Sequence, residues 1–356
     1  MRRKEWGMGR LNRIRNLQGA SLAAAGALLL PGLVLGAGAV PGPQASPPGL
    51  RELFAAAVAQ NGAFDLSPDG RLLAASQDDG SISVVDTASG NAVRTLTLQE
   101  AGSATDLRFS PDGRLLAAAS AAEVVIWDVA SGVLSHRLTV QAESMAFSPN
   151  DLALAVGEGG ASMAVKVFDV RSGAMIRSWQ AGPPAYGGVY NLAFTPDGRY
   201  LFSGQGHEGA KEWDPERGVM VRALAGELPY WNPGQALAFS PDGHLLALWD
   251  HGQCEIVDPS IGSFARVATV GLGGEPLGFT SDGRWLMVLL DSELGEGGPR
   301  QHEIAVWDLG AGKTVEIIPL GTYPDFAVSK VLLSAGSQVI AWLQGQSDIR
   351  VATLLP

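Results

Sequence analysis

The sequence predicts an all-β fold built from one repeated four-stranded unit, and three observations predict it. A Ser-Pro-Asp-Gly turn signal recurs along the chain. An Asp-x-x-x-Gly signal recurs on its own ruler, and segments rich in β-branched and aromatic residues run between the two. After the first 39 residues no window of twelve or more shows a persuasive helical period.

The first signal appears as SPDG at Ser67–Gly70 and Ser110–Gly113, SPND at Ser148–Asp151, TPDG at Thr195–Gly198, SPDG at Ser240–Gly243 and TSDG at Thr280–Gly283. A degraded seventh copy, SAGS, lies at Ser334–Ser337. Pro presets φ for a turn, Asp caps it through its side chain, and Gly takes the backbone angle other residues resist. These copies are therefore read as hairpins between a first and a second strand. The second signal pairs Asp86 with Gly90, Asp128 with Gly132, Asp169 with Gly173, Asp214 with Gly218, Asp258 with Gly262 and Asp308 with Gly312. It is read as the hairpin between a third and a fourth strand. The runs LLAAS, SISVVD, LRFS, VVIWD, VKVFDV and EIAVWDL supply the strands. Trp127, Trp213 and Trp307, each just before a marker Asp, are read as packing between neighbouring sheets.

Four antiparallel strands repeated at such spacing are the signature of a propeller blade. The expected architecture is a single seven-bladed β-propeller over residues 50–356. The seventh copy reaches Pro356 where its fourth strand should begin, while LRELF (Leu50–Phe54) stands as far before Ser67 as VRTLT stands before Ser110. Leu50–Phe54 is thus expected to be the outer strand of the seventh blade, closing the ring and removing an open edge. The repeats resemble bacterial WD-repeat β-propellers, in which SPDG-x-L-L-A and I-W-D-x-x-S-G dominate. The Gly-His pair that precedes the first strand in many eukaryotic repeats is absent.

The leader differs in composition. Arg2, Arg3, Lys4, Arg10, Arg13 and Arg15 precede the apolar run ASLAAAGALLLPGLVL, and small residues lead to Ala39. A basic start, a short apolar stretch and small residues at the end describe a secretory signal. Residues 1–39 are therefore expected to direct export or, uncleaved, to anchor the chain in a membrane, with 40–49 as a Pro-rich linker. A periplasmic or extracellular location, or one at the outer face of the cytoplasmic membrane, follows. The whole chain carries 25 basic and 36 acidic residues. Setting aside six basic residues and Glu5 leaves 19 against 35, a net charge of −16. So acidic a surface repels phosphate backbones, and nucleic acid is excluded as a partner. Cys254 stands alone, so no intrachain disulfide forms, and its strand-like setting QCEIVD marks it as a buried thiol.

Antiparallel alternation sends both marker turns to one face of the disc, here the turn face, and the remaining connections to the opposite, loop face. The irregular loop-face segments include QDDG, GEGGAS, GQGHEG, WDHGQ (Trp249–Gln253), DSELGEGGPRQHE (Asp291–Glu303), QAGPPAYGGVYN and AGELPYWNPGQ. Loops on a rigid scaffold are where binding is expected. Tyr186, Tyr190, Tyr230 and Trp231 stand there among Gly and Pro, either as anchors for a peptide or sugar or as packing over the blade tops. His207, His251 and His302 hold nearly equivalent slots in consecutive blades, with Asp250 beside His251. A shared metal site is conceivable, but Asp79 fills the same slot in the first blade and no single segment has ligand spacing. Loop bracing is the expected role, and no metal or cofactor is expected.

No nucleophile elbow, phosphate-cradling loop, zinc-ligand pair or reactive-thiol context is present in the sequence. The expected function is a monomeric, non-catalytic scaffold binding a protein or peptide through the loop face. The alternative is a propeller enzyme, lactonase-like or metal- or quinone-dependent, built on His207, His251 and His302 at the channel mouth.

Overall fold

The computed structural model describes residues 49–355 apart from 60–61, 99–102, 161, 184–186, 205–209, 224–236, 251–252, 261–264, 271–273, 294–299, 324–327, 335–338 and 345–346. The leader and the linker up to residue 48 lie outside the described residues. The described chain contains 28 strands and no helix.

Blade 1 is β2 (Phe64–Leu66), β3 (Leu72–Ser76), β4 (Ser81–Asp86) and β5 (Ala92–Thr97). Blade 2 is β6 (Asp106–Phe109), β7 (Leu115–Ala119), β8 (Val124–Asp128) and β9 (Leu134–Leu138). Blade 3 is β10 (Ser144–Phe147), β11 (Ala153–Gly157), β12 (Ala164–Asp169) and β13 (Met175–Gln180). Blade 4 is β14 (Asn191–Phe194), β15 (Leu201–Gly204), β16 (Ala210–Asp214) and β17 (Val219–Ala223). Blade 5 is β18 (Leu237–Phe239), β19 (Leu246–Asp250), β20 (Gln253–Asp258) and β21 (Ala265–Val270). Blade 6 is β22 (Gly274–Phe279), β23 (Trp285–Glu293), β24 (Arg300–Asp308) and β25 (Lys313–Tyr323). Blade 7 is β26 (Val328–Leu333), β27 (Val339–Gln344), β28 (Asp348–Leu355) and, on its outside, β1 (Gly49–Ala57).

Every sheet is antiparallel and ordered as the chain runs, except the last, where β1 lies against β28 from Gly49↔Leu355 to Ala57↔Asp348. The first strands of the seven blades touch in a closed cycle, with β2 meeting both β6 and β26. The amino-terminal strand therefore closes the ring as expected, and it runs three residues past Phe54 because pairing continues to Ala57. A bulge between Glu52 and Phe54 re-aims the strand, and Leu53, Phe54 and Ala56 pack with Val58, Phe64 and Leu66. Arg350 reaches Glu52 at 2.5 Å across the same pair.

The marker turns close as their chemistry requires. Ser67 Oγ donates to Asp69 Oδ1 at 2.7 Å and accepts the Leu72 N–H at 2.9 Å, while Asp69 Oδ1 also accepts the Arg71 N–H at 3.0 Å. The arrangement recurs at Ser110–Asp112, Thr195–Asp197, Ser240–Asp242 and Thr280–Asp282, and with Asn150 in place of Asp beside Ser148. In that copy Asp151 stands where Gly stands in five others and adopts φ 61°, a left-handed conformation that Asp tolerates better than most side chains. In the second marker, Asp86 Oδ1 accepts both the Ser89 N–H and hydroxyl at 2.8 and 2.7 Å. The Ser89 hydroxyl first, and the backbone N–H next, hold the Asp86 carboxyl below its ordinary value of 3.8; Ser131 and Ser172 do the same for Asp128 and Asp169. A depressed native pKa adds stability above the unfolded-state value, and that stability is lost as pH falls through the native one. The melting temperature should therefore drop below about pH 4, where carboxylates begin to protonate. An unchanged value between pH 6 and pH 3 would refute this.

The packing between blades contains a regularity the turn signals did not reveal. In blades 1 to 4, four residues after the marker Gly, the fourth strand carries a basic or imidazole side chain that reaches the next blade's second marker turn; blade 6 carries Glu316 there. Arg94 bonds the Ala130 carbonyl, His136 Nε2 lies 3.0 Å from that of Arg171, Arg177 Nε donates to that of Glu216 at 2.8 Å, and Arg222 bonds that of Pro259. These staples make the marker Gly doubly necessary. Gly173 has φ 69°, and a Cβ there would stand 2.7 Å from His136 Nδ1. Gly312, at φ 62°, has nothing within 4 Å of the same position. Gly312→Ala should cost only the left-handed backbone penalty of about 1–2 kcal/mol. Gly173→Ala should cost more, and adding His136→Ala should recover the difference. Denaturant unfolding of the three variants measures this.

Trp127 and Trp213 are buried against the preceding blade, and Trp307 packs the same way. Trp213 also donates from Nε1 to Ser203 Oγ at 2.7 Å and sits 5.7 Å from Trp179. The Trp-before-Asp residues are inter-sheet packing, as the sequence led us to expect.

Candidate functional site

The loop face is where sequence reasoning placed the site, and the described residues show part of it. Asp79 Oδ1 accepts the Ser81 N–H at 2.9 Å, so this slot of blade 1 braces a tight turn. Asp250 ends β19 and pairs with Gln253 in β20, so both ends of the expected loop Trp249–Gln253 belong to the ladder. Blade 6 departs further. The expected loop Asp291–Glu303 is largely ladder, with Asp291↔His302, Ser292↔Gln301 and Glu293↔Arg300 in register. His302 is consequently a strand residue, 3 % exposed, with Nδ1 3.9 Å from Asp291 Oδ1. The sequence missed this extension because Gly and Glu in the segment read as loop, whereas register carried the pairing on.

Tyr190 is half-buried; its N–H donates to the Gly204 carbonyl at 3.1 Å. Its ring lies over Gly187 and Gly188, so close that a Cβ on Gly187 would stand 2.6 Å from its hydroxyl. Beside it Glu158, buried, is paired with Lys166 Nζ at 2.5 Å and bonded by the Ser162 hydroxyl. Glu158 thus braces the upper corner of blade 3, and the tyrosine lies on the segment joining blades 3 and 4. Tyr186, Tyr230, Trp231, His207 and His251 lie outside the described residues. Among the described residues no group of three His, Cys, Asp or Glu is arranged to hold a metal.

A second constellation escaped sequence reasoning. Two and four residues before the first marker, blades 1, 2 and 7 carry Asp65, Arg108, Asp106 and Lys330, where other blades carry residues such as Ser144, Ala146, Asn191 and Ala193. Aligning the first strands on their markers would have exposed it. In the structure these charges link innermost strands. Lys330 Nζ donates to the Phe64 carbonyl at 2.8 Å, Asp65 Oδ2 accepts the Phe109 N–H at 2.7 Å, and Arg108 Nε donates to the Met145 carbonyl at 3.3 Å. Arg108 also lies 3.4 Å from Asp106. Burial raises the Asp65 carboxyl, against the pull of Arg108 and Lys330. Burial, with Arg108 adding to it, pushes the Lys330 ammonium down to about 8. These side chains are spent on joining blades 7, 1, 2 and 3.

Cys254 lies fully buried in β20 among Ala247, Ile256, Val270 and Phe279, and burial pushes its thiol up to about 12. A thiol so placed is neither ionised nor reachable. Native protein should react with a disulfide reagent only at its unfolding rate, and stoichiometrically once denatured. Rapid labelling of folded protein would contradict this.

Comparison with known proteins agrees with the fold. The family described as WD domain, G-beta repeat matches residues 90–128 and 180–214. The first stretch runs from the outer strand of blade 1 through the third strand of blade 2, and both end on a marker Asp, so the sequence repeat is offset from the blade by one strand. An uncharacterized WD repeat-containing protein of Synechocystis sp. is 29% identical over 145 residues, covering 40% of this chain and 40% of that protein. The chain thus matches about two fifths of its relative's length, and what the comparisons establish is similarity to WD repeats.

Proposed function

We propose that this chain is an exported, non-catalytic scaffold that binds a protein or peptide through its loop face, and that it is of the bacterial type marked by SPDG-x-L-L-A and I-W-D-x-x-S-G. WD40 propellers typically mediate protein interactions, and the fold is consistent with that role. One observation carries the choice of face. On the turn face the sequence intervals between successive described strands are uniform, four to six residues, whereas on the loop face they run from two residues, between β19 and β20, to thirteen, between β17 and β18. The scaffold dictates the first set and leaves the second free to vary, which is the pattern of loops that recognise something.

Export rests on the basic leader and apolar run of residues 1–39, which support a periplasmic, extracellular or outer-face location. A fusion of residues 1–60 to a phosphatase active only outside the cytoplasm tests it, and an inactive fusion would refute it. For the binding face, the purified chain should capture a partner from envelope extract. That capture should fall at least tenfold for Tyr230→Ala/Trp231→Ala and for Tyr190→Ala. A partner retained equally by all variants would place binding elsewhere.

A further inference from the structure

At the turn-face end of the seam between blades 4 and 5 lies a cavity of about 540 Å³. It is bounded by the first marker turns of both blades, through Asp197 and Asp242, and by Phe202, Glu212 and Arg222 across blade 4. Those last three are register neighbours, Phe202↔Glu212 and Glu212↔Arg222, so they form one row running outward across the sheet. Arg222 is already committed, to the buried Glu212 carboxylate and to the Pro259 carbonyl. Its charge is thereby matched, and the remaining charge-bearing groups lining the cavity are the two carboxylates Asp197 and Asp242 and the one imidazole His244, which lies beside Asp242. In each carboxylate, Oδ1 is held by the turn's own hydroxyl and N–H, and the second oxygen is not used by the turn. The same hydrogen bonds that fix the two carboxyls hold them below their ordinary value, so both are anionic at neutral pH.

The row ends at a sheet edge of unusual composition. β17 exposes Val219, Met220 and Val221, at 51, 51 and 47 %, the longest run of exposed large apolar residues on any outer strand among the described residues. Val221 is the extra residue of a bulge, since Glu212 pairs with Arg222 and Trp213 with Met220, and it also lines the cavity. The one charge on the strand, Arg222, turns inward. Edge strands are ordinarily guarded by outward charges, and one left apolar invites another strand.

We propose that β17 and this cavity together form a docking site for an extended polypeptide segment that adds a fifth strand to blade 4 and places a Lys or Arg side chain in the cavity. Main-chain bonding to the outer edge of β17, the last strand of its sheet among the described residues, gives the register, and alternate side chains of an added strand fall on the same sheet face. The residue opposite Arg222 continues the Phe202–Glu212–Arg222 row and faces the cavity, where the anionic Asp197 and Asp242 select a cation. Its apolar neighbours meet Val219, Met220 and Val221. The site lies at the opposite end of the disc from the loop face and stands independently of binding there.

Selection of a displayed random nonapeptide library on the purified full chain tests this. The expected winners carry one Lys or Arg flanked at alternate positions by β-branched or aromatic residues. A synthetic winner should lose at least tenfold in affinity when its basic residue becomes Gln, and equally when the chain carries Asp197→Asn/Asp242→Asn. Asn is compatible with this turn, since Asn150 already serves in blade 3. A second variant, Met220→Lys, guards the edge without touching the cavity and should weaken the same peptide comparably. Winners without a basic residue, winners whose affinity ignores these variants, or no winners at all would overturn the proposal. Thermal melts of each variant distinguish lost binding from lost folding.

Discussion

Truncation of the chain to begin at Val58 should abolish soluble, cooperatively folding monomer. The eight paired positions of β1 would vanish together with the packing of Leu53, Phe54 and Ala56, and β28 would be left as an open edge beside a hydrophobic cluster. Net stabilities of domains are about 5–15 kcal/mol, so losing an entire strand is comparable with the whole. Exposed apolar edges also pair between molecules, so association should accompany unfolding. Size-exclusion chromatography and a thermal melt read both effects. A synthetic peptide of residues 49–57, supplied in trans, should restore part of the monomer peak. A truncated protein melting within a few degrees of its parent would show that the ring does not need this strand.

The second large effect is expected at the channel wall. Asp65→Leu removes the acceptor of the Phe109 N–H and one of the two anions acting on Lys330 and Arg108, leaving Asp106 as the other. Taking one partner from a buried charged set costs about 3–5 kcal/mol, toward the lower end here because Asp65 and Arg108 remain half-buried. The loss should depend on pH in a definite sense. Lys330 has a native pKa below its ordinary 10.5, so burying its charge costs stability below about 8, and that cost is relieved as pH rises toward 10.5. Without Asp65 the cost grows, so the gap between variant and parent should be widest near pH 7 and narrow at pH 10. Asp65→Asn should fall between the two. A gap equal at both pH values would mean that packing, not charge, is what Asp65 supplies.

Most of the architecture was legible because its turns are chemically specific. Ser-Pro-Asp-Gly and Asp-x-x-x-Gly admit few alternative local structures, and seven and six copies in order fix blade number and hand-over between strands. The seam was legible for the same reason, since LRELF could be placed by its distance from Ser67. What the sequence could not reveal depended on register or on contacts between blades. The strands of blade 6 outrun their apolar pattern because ladder hydrogen bonds tolerate Asp291, Ser292 and Gln301. The cross-blade staples Arg94, His136, Arg177 and Arg222 look like ordinary exposed basic residues until the neighbouring turn is in place. Asp65 and Lys330 stand 265 residues apart, and only closure brings their charges together. His302 was read as a loop residue and is a buried strand residue; Tyr190 was read as an anchor or as packing, and its ring lies over Gly187 and Gly188 between blades 3 and 4.

The one-strand offset between sequence repeat and blade bears on how the molecule comes into being. Its first strand has no lasting partner until β28, some 300 residues later, has been made and delivered, so closure of the ring cannot precede synthesis of β28. Contacts so remote in sequence form slowly. Until that moment the nascent ring carries two sticky rims, and whatever shields them in the cell governs how much of the protein matures.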